Sequence, residues 1–133
     1  MTQKDKDLLL KDLCSRIPYG VKFVIDNGQN NVRTLTGISD AIPYEVWQMC
    51  AFARGIVGIP IEDIKPYLFP MSSMTEWQER ELEILMKNSI ESCGMLSPYD
   101  CLEMERFFNE NHIDWRGLIP LGLALDATGK NIY

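Results

Sequence analysis

One histidine stands in this chain, His112, with Cys101 eleven residues before it and Asp114 two residues after it. A thiol, an imidazole and a carboxylate are the parts of a nucleophilic triad, in which the ring takes the thiol proton and the carboxylate orients the ring. That chemistry needs all three side chains in one place, and no nucleophile-bearing signature surrounds Cys101. At a helix end the imidazole has a plainer use, capping the last free carbonyls. A single histidine rules out any multi-histidine metal site. Carboxylates come in groups at Glu62-Asp63, at Glu79, Glu81 and Glu83, and at Glu103 and Glu105. Acid–base work by such groups needs a cleft and one shifted pKa. Each of these groups instead falls where a solvated face is expected, and none has the spacing of a calcium loop. The glycines of GIVGIP (55–60) lack the lysine and following helix of a phosphate loop. No catalytic, metal-binding or cofactor-binding residue is therefore assigned, and no cofactor is expected.

Recognition chemistry is better represented. Asp114-Trp115-Arg116-Gly117 is the most distinctive local group. It reads either as an exposed Trp/Arg anchor of the kind that dominates interface energies, or as Trp115 filling a junction with Arg116 paired to an acid. Trp77 and Ile84, seven residues apart, lie nearly opposite the helical face formed by Leu82, Leu85, Met86, Ile90 and Cys93. A helix with two apolar faces is either buried on both or offers one to a partner. Trp77, Ile84, Trp115 and Arg116 are the candidate interaction surface.

The elements that must position these residues fall in three parts. Leu10, Leu13, Cys14 and Ile17 recur at helical spacing and predict a helix over about 4–17, stopped by Pro18 and Gly20. From Val21 to Ile59 the chain is β-prone. Val21, Phe23 and Ile25 alternate with Lys22 and Asp26, Asn27-Gly28 reads as a turn, and Val32–Ile38 reads as a returning strand with Gly37 as a candidate bulge. Tyr44–Cys50 reads as a third strand or a short helix, and Gly55–Ile59 as an edge strand before Pro60. Four such strands predict a small antiparallel SH3-like barrel or meander over about 21–59, with IEDIKPYL as a tight turn leading out of it. Thr75 with Gln78 then forms a capping box, Gly94 reads as the end of that helix, and Ser97-Pro98 opens another to about Glu110, contributing Leu102, Phe107 and Phe108. Asp114 caps a short turn over WRGLI, and Leu121–Leu125 adds an edge strand or packs irregularly. The fold class is α+β, a single domain over 1–133, with a barrel-like sheet over 21–68 and a helical part over 75–125.

A net charge of −6 over 133 residues sets the chain against phosphate backbones, so no nucleic acid is expected as a partner. Four cysteines with no C-x-x-C pair suit neither a disulfide scaffold nor a zinc ribbon, and read as small buried hydrophobes in a reducing cytoplasm. The leucine run near the start has acids on both flanks and fails as a signal peptide. No apolar run reaches the ~18–20 residues that a membrane span needs, so no membrane is expected.

The stretches LLLKDLCSRIPYGV, KPYLFPMSSMTEWQ and HIDWRGLIPLGLALDATGKNIY carry a further signal. With their K-P-Y-L-x-P-M-S-S-M-T and D-[WY]-R-G-L-I patterns, the chain resembles short hypothetical proteins of gut Bacteroides-type bacteria and their phages and mobile elements. Asp40–Gly58 lies outside that resemblance, and Phe69 stands where an arginine is expected. The resemblance implies a bacterial or phage intracellular setting and supplies no catalytic residue. The reading is a small non-enzymatic interaction or regulatory protein, cytoplasmic, a monomer or weak homodimer, with a protein partner. An acidic inhibitor mimicking nucleic acid is the alternative, and a small hydrolase the third.

Overall fold

A computed structural model describes residues 1–25, 31–41, 48–93 and 97–133, with backbone alone for 41, 56–57 and 88–93. The Asn27-Gly28 turn, most of Tyr44–Cys50 and Gly94 lie outside the described residues. The fold is α+β. Helix α1 (Gln3–Arg16) opens on a capping box between Thr2 and Asp5. Strands β1 (Lys22–Ile25), β2 (Arg33–Thr34), β3 (Gly37–Ala41), β4 (Gln48–Ala53), β5 (Ile56–Pro60) and β6 (Ile64–Leu68) follow. Helices α2 (Glu76–Cys93) and α3 (Pro98–Glu110) come next, and a short β7 (Leu125–Asp126) lies near the end.

The strands do not close into a barrel among the described residues. They form two sheets, β2-β1-β6-β7 and an antiparallel meander β3-β4-β5. The expected strand Val32–Ile38 divides between them, for a reason visible in two consecutive amides. Leu35 N–H donates to Val21 O at 2.9 Å, on the first sheet, and Thr36 N–H donates to Phe52 O at 2.9 Å, on the second. The chain therefore changes sheets at that step, and β1 takes β6 as its second neighbour. The bulge falls elsewhere than Gly37: the β4–β5 register slips between Ala51 and Ala53, opposite Gly58, whose φ of +51° suits glycine. IEDIKPYL is also more than a turn. Ile61–Asp63 makes one turn of 3₁₀ helix, and Ile64–Leu68 becomes an inner strand with Ile64, Pro66 and Leu68 buried.

Helix α1 packs on the sheets, with Leu9 and Leu13 in a core shared with Phe23, Leu35, Ile64, Leu68 and Leu118. Its buried face is rotated from the expected stripe. Asp12 and Arg16 are buried with Leu9 and Leu13, while Cys14 is exposed. Of the other described cysteine side chains, Cys50 is buried and Cys101 exposed, so burial is not their common property. A second, smaller cluster of Phe107, Phe108 and Ile113 lies under the helical hairpin, with Met74, Leu82, Leu85 and Trp115 against it.

The platform and the hairpin meet at the end of β6. Phe69 N–H donates to His112 O at 2.8 Å, and Asp114 N–H donates to Phe69 O at 2.8 Å. Below that bridge lies a buried ionic cluster. Asp12 receives Arg16 Nε at 2.8 Å, Arg16 Nη2 at 3.1 Å and Arg116 Nη1 at 2.9 Å. Arg16 Nη2 also donates to Ile113 O at 2.7 Å, and Arg116 Nη2 to Glu105 at 3.1 Å. Two cations and two anions balance, and they tie α1 to α3 through Glu105 and to the residues just after it, Ile113 and Arg116.

Candidate interaction groove between two helices

Local sequence starts both helices of the hairpin. Gln78 N–H donates to Thr75 Oγ1 at 3.2 Å while Thr75 N–H donates to Gln78 Oε1 at 3.0 Å, completing the expected capping box. Ser97 and Asp100 do the same for α3, with proline in its first turn. The helices run antiparallel, because the start of α2 meets the end of α3: Gln78 Nε2 donates to Asn111 Oδ1 at 3.3 Å.

Between them lies a groove of about 670 Å³. From α2 it takes Trp77, Arg80, Glu81, Ile84 and Leu85, and from α3 Glu103, Arg106, Phe107 and Glu110. Both sets follow the i, i+3, i+4, i+7 spacing of one helical face. Leu85 and the buried Phe107 form the floor, while Trp77 and Ile84 stand at 70% and 58% exposure. Nowhere along 76–87 is a side chain fully buried, whereas α1 buries four. Of the two alternatives for a helix with two apolar faces, the structure shows the second: one face is covered and one is open. Tyr99 and Leu102 continue the exposed apolar surface on α3, at 70% and 64%, so Leu102 does not join the core.

Charge is concentrated on the same hairpin. Residues 76–110 hold nine Asp and Glu against three Lys and Arg, a net of −6, and the rest of the chain balances at ten of each. The sequence carries this signal openly, but a count over the whole chain hides it.

Trp115 and Arg116 lie elsewhere and serve the interior. Trp115 stacks on Phe108 with centroids 6.1 Å apart, and its Nε1–H donates to Asn109 Oδ1 at 3.0 Å. The Arg116 guanidinium lies 4.1 Å from the Trp115 ring centroid while it binds Asp12 and Glu105. The structure thus separates the four surface candidates into an exposed pair and an internal pair.

Cys101, His112 and Asp114 are not brought together. Cys101 sits in the first turn of α3, about 13 Å of helix rise from its last residue. Asp114 is spent on the backbone, accepting Leu118 N–H at 2.7 Å and Ile119 N–H at 2.8 Å. His112 closes α3 through its backbone rather than its ring. Its φ is +57°, its N–H donates to Asn109 O, and Ile113 N–H donates to Phe108 O at 2.8 Å, which is the Schellman arrangement. The imidazole stacks on Tyr133 with centroids 3.7 Å apart. Burial, then the charges of Arg16 and Lys22, push its pKa down to about 4, so the ring is neutral at pH 7. Tyr133 accepts Lys22 N–H at 2.9 Å and donates to Tyr67 O at 2.7 Å, and burial pushes its pKa up to about 12. Among the described residues, no three His, Cys, Asp or Glu side chains are grouped to hold a metal ion, and no helix is long and apolar enough to cross a membrane. The chain matches no protein-family model, no curated protein and no solved structure.

Proposed function

We propose that the protein is a non-enzymatic interaction module of bacterial or phage origin that docks another protein in the α2–α3 groove. The observation that carries this reading is the open face of α2, where Trp77 and Ile84 project beside a groove floored by Phe107. Apolar residues scattered singly on a surface need no explanation, but two on one helical face, beside a groove, form a patch. Covering the exposed part of Trp77 removes on the order of 150 Å² from water, worth roughly 3–4 kcal/mol. The folded chain forgoes that gain, and a partner collects it. The β platform and the ionic cluster serve to hold the hairpin in place; the Trp115/Arg116 pair belongs to that support.

A second reading, an acidic decoy for a basic protein, is favoured by the net −6 of the hairpin. Arg80 and Arg106 stand within the groove face and interrupt a uniform carboxylate surface. Capture from the lysate of a gut Bacteroides-type bacterium separates the readings, using the wild-type chain, the double variant Trp77→Glu/Ile84→Glu and the control Leu121→Glu. Leu121 is an exposed apolar residue outside the hairpin. A partner held by wild type and control but lost by the double variant, with an unchanged melting temperature, supports docking. Retention by the double variant, stronger at low salt, supports the decoy and overturns docking.

A further inference from the structure

We infer that the occupant of the groove is a basic amphipathic helix of the partner, lying along α2 and α3. Its apolar side chains would meet Trp77, Ile84 and Phe107, and its lysines or arginines the acidic flanks. The inference rests on the groove being the docking face and adds the chemistry of what docks there.

Shape selects a helix. The groove is the trough between two antiparallel helices, and a third helix fills such a trough at ordinary interaxial distances. Recognition of that kind is read through anchors at i, i+3, i+4 and i+7, the spacing that both walls present. The 13 residues of α3 run about 20 Å, a length that three to four turns of a docked helix would match.

Charge selects among helices. The hairpin holds the whole net charge of −6, and the remainder of the chain is balanced. A second copy would bring together two groove faces that each carry Glu81, Glu103 and Glu110 against Arg80 and Arg106, on two net-acidic hairpins, and meet repulsion across the interface. An acidic helix meets the same repulsion. A basic helix gains the apolar contact and also relieves the crowding of like charge along α2 and α3. Within the groove, Arg80 and Arg106 stand beside Glu81, Glu103 and Glu110, and Arg106 approaches Glu110 at 3.8 Å, so the lining keeps one carboxylate in excess.

The test is titration of the full chain with three fluorescein-labelled synthetic peptides of equal length. One carries leucines at i, i+3, i+4 and i+7 with lysine elsewhere, the second has glutamate for lysine, and the third scrambles the first. The lysine-stripe peptide should bind at least about tenfold tighter than either other peptide, with the margin shrinking in salt. Trp77→Glu/Ile84→Glu should weaken that binding despite adding negative charge, which distinguishes anchoring from bare attraction. Equal affinity for the lysine and glutamate stripes overturns the inference, as does equal affinity for striped and scrambled lysine peptides. A homodimer in sedimentation that the double variant dissolves assigns the groove to a second copy and overturns it too. If the double variant loses its captured cellular partner while the lysine stripe shows no preference, docking stands and this inference falls. If neither partner capture nor peptide binding responds to the double variant, both fall.

Discussion

Replacing Asp12 by alanine should cost more stability than breaking any surface ion pair among the described residues. Asp12 is wholly buried and accepts three guanidinium N–H groups, from Arg16 and Arg116. Arg16 Nη1 already lacks an acceptor among the described residues. Without the carboxylate, Arg16 would keep only Ile113 O, and Arg116 only Glu105 and Ser15. Removing one partner from a buried pair strands a charge away from water, at a cost of about 3–5 kcal/mol. Against a urea dependence of about 1–3 kcal/mol per molar, the unfolding midpoint should fall by about 2 M. The control is Lys6→Ala, which breaks a bridge to Glu62 that is shorter, at 2.7 Å, but more than one-third exposed on both sides. Solvent screens that pair, and its loss should cost roughly 0.5 kcal/mol or less. Circular dichroism in urea reads both. Equal losses in the two variants, or a loss below about 1 kcal/mol for Asp12→Ala, would refute the claim that the cluster anchors α1 to the end of α3.

Other outcomes follow from the same contacts. The His112 pKa is lowered from 6.5 to about 4, so the unfolded chain binds more protons between those values and stability should decline as pH falls through that window. His112→Asn, which tolerates the +57° φ and does not titrate, should flatten that part of the profile; an unchanged slope would put the effect elsewhere. Tyr133→Phe loses the hydrogen bonds to Lys22 and Tyr67 and should cost about 1–3 kcal/mol in denaturant unfolding. In a Cys93→Ser background, native alkylation should label Cys14 and Cys101 and spare Cys50 until unfolding, with Cys101 no faster than free cysteine. Trp115→Ala should lower the melting temperature, because Phe108, Asn109 and Arg116 all lose a partner.

What the sequence makes legible is what local chemistry decides. The capping residues Thr75 and Ser97 mark both hairpin helices, and the alternation around Phe23 marks β1. That alternation undersells its burial, since Val24 is covered too. Where two remote segments decide, the sequence is silent. Pro66 reads as a breaker because it cannot donate to a ladder, yet it lies in an inner strand opposite Phe23. Nothing local marks Asp12 and Arg16 for burial, since Asp12 is also held by Arg116, 104 residues away, and Arg16 by Ile113 O, 97 residues away. The division of Val32–Ile38 between two sheets depends on which carbonyl each amide finds, and nothing local specifies that. Trp77 and Ile84 were visible as a second apolar face, but whether a face is covered depends on what else folds against it. Their exposure is a property of the tertiary structure alone.

The docking claim is tested most directly by photo-crosslinking in living cells, with benzoylphenylalanine placed at Ile84 in one strain and at the control position Leu121 in another. Both positions are more than half exposed, at 58% and 56%, so accessibility does not favour either. One discrete adduct is expected from position 84, abolished by Trp77→Glu, and none from position 121. An adduct from 121 with none from 84, or one from 84 that survives Trp77→Glu, would contradict docking in the groove.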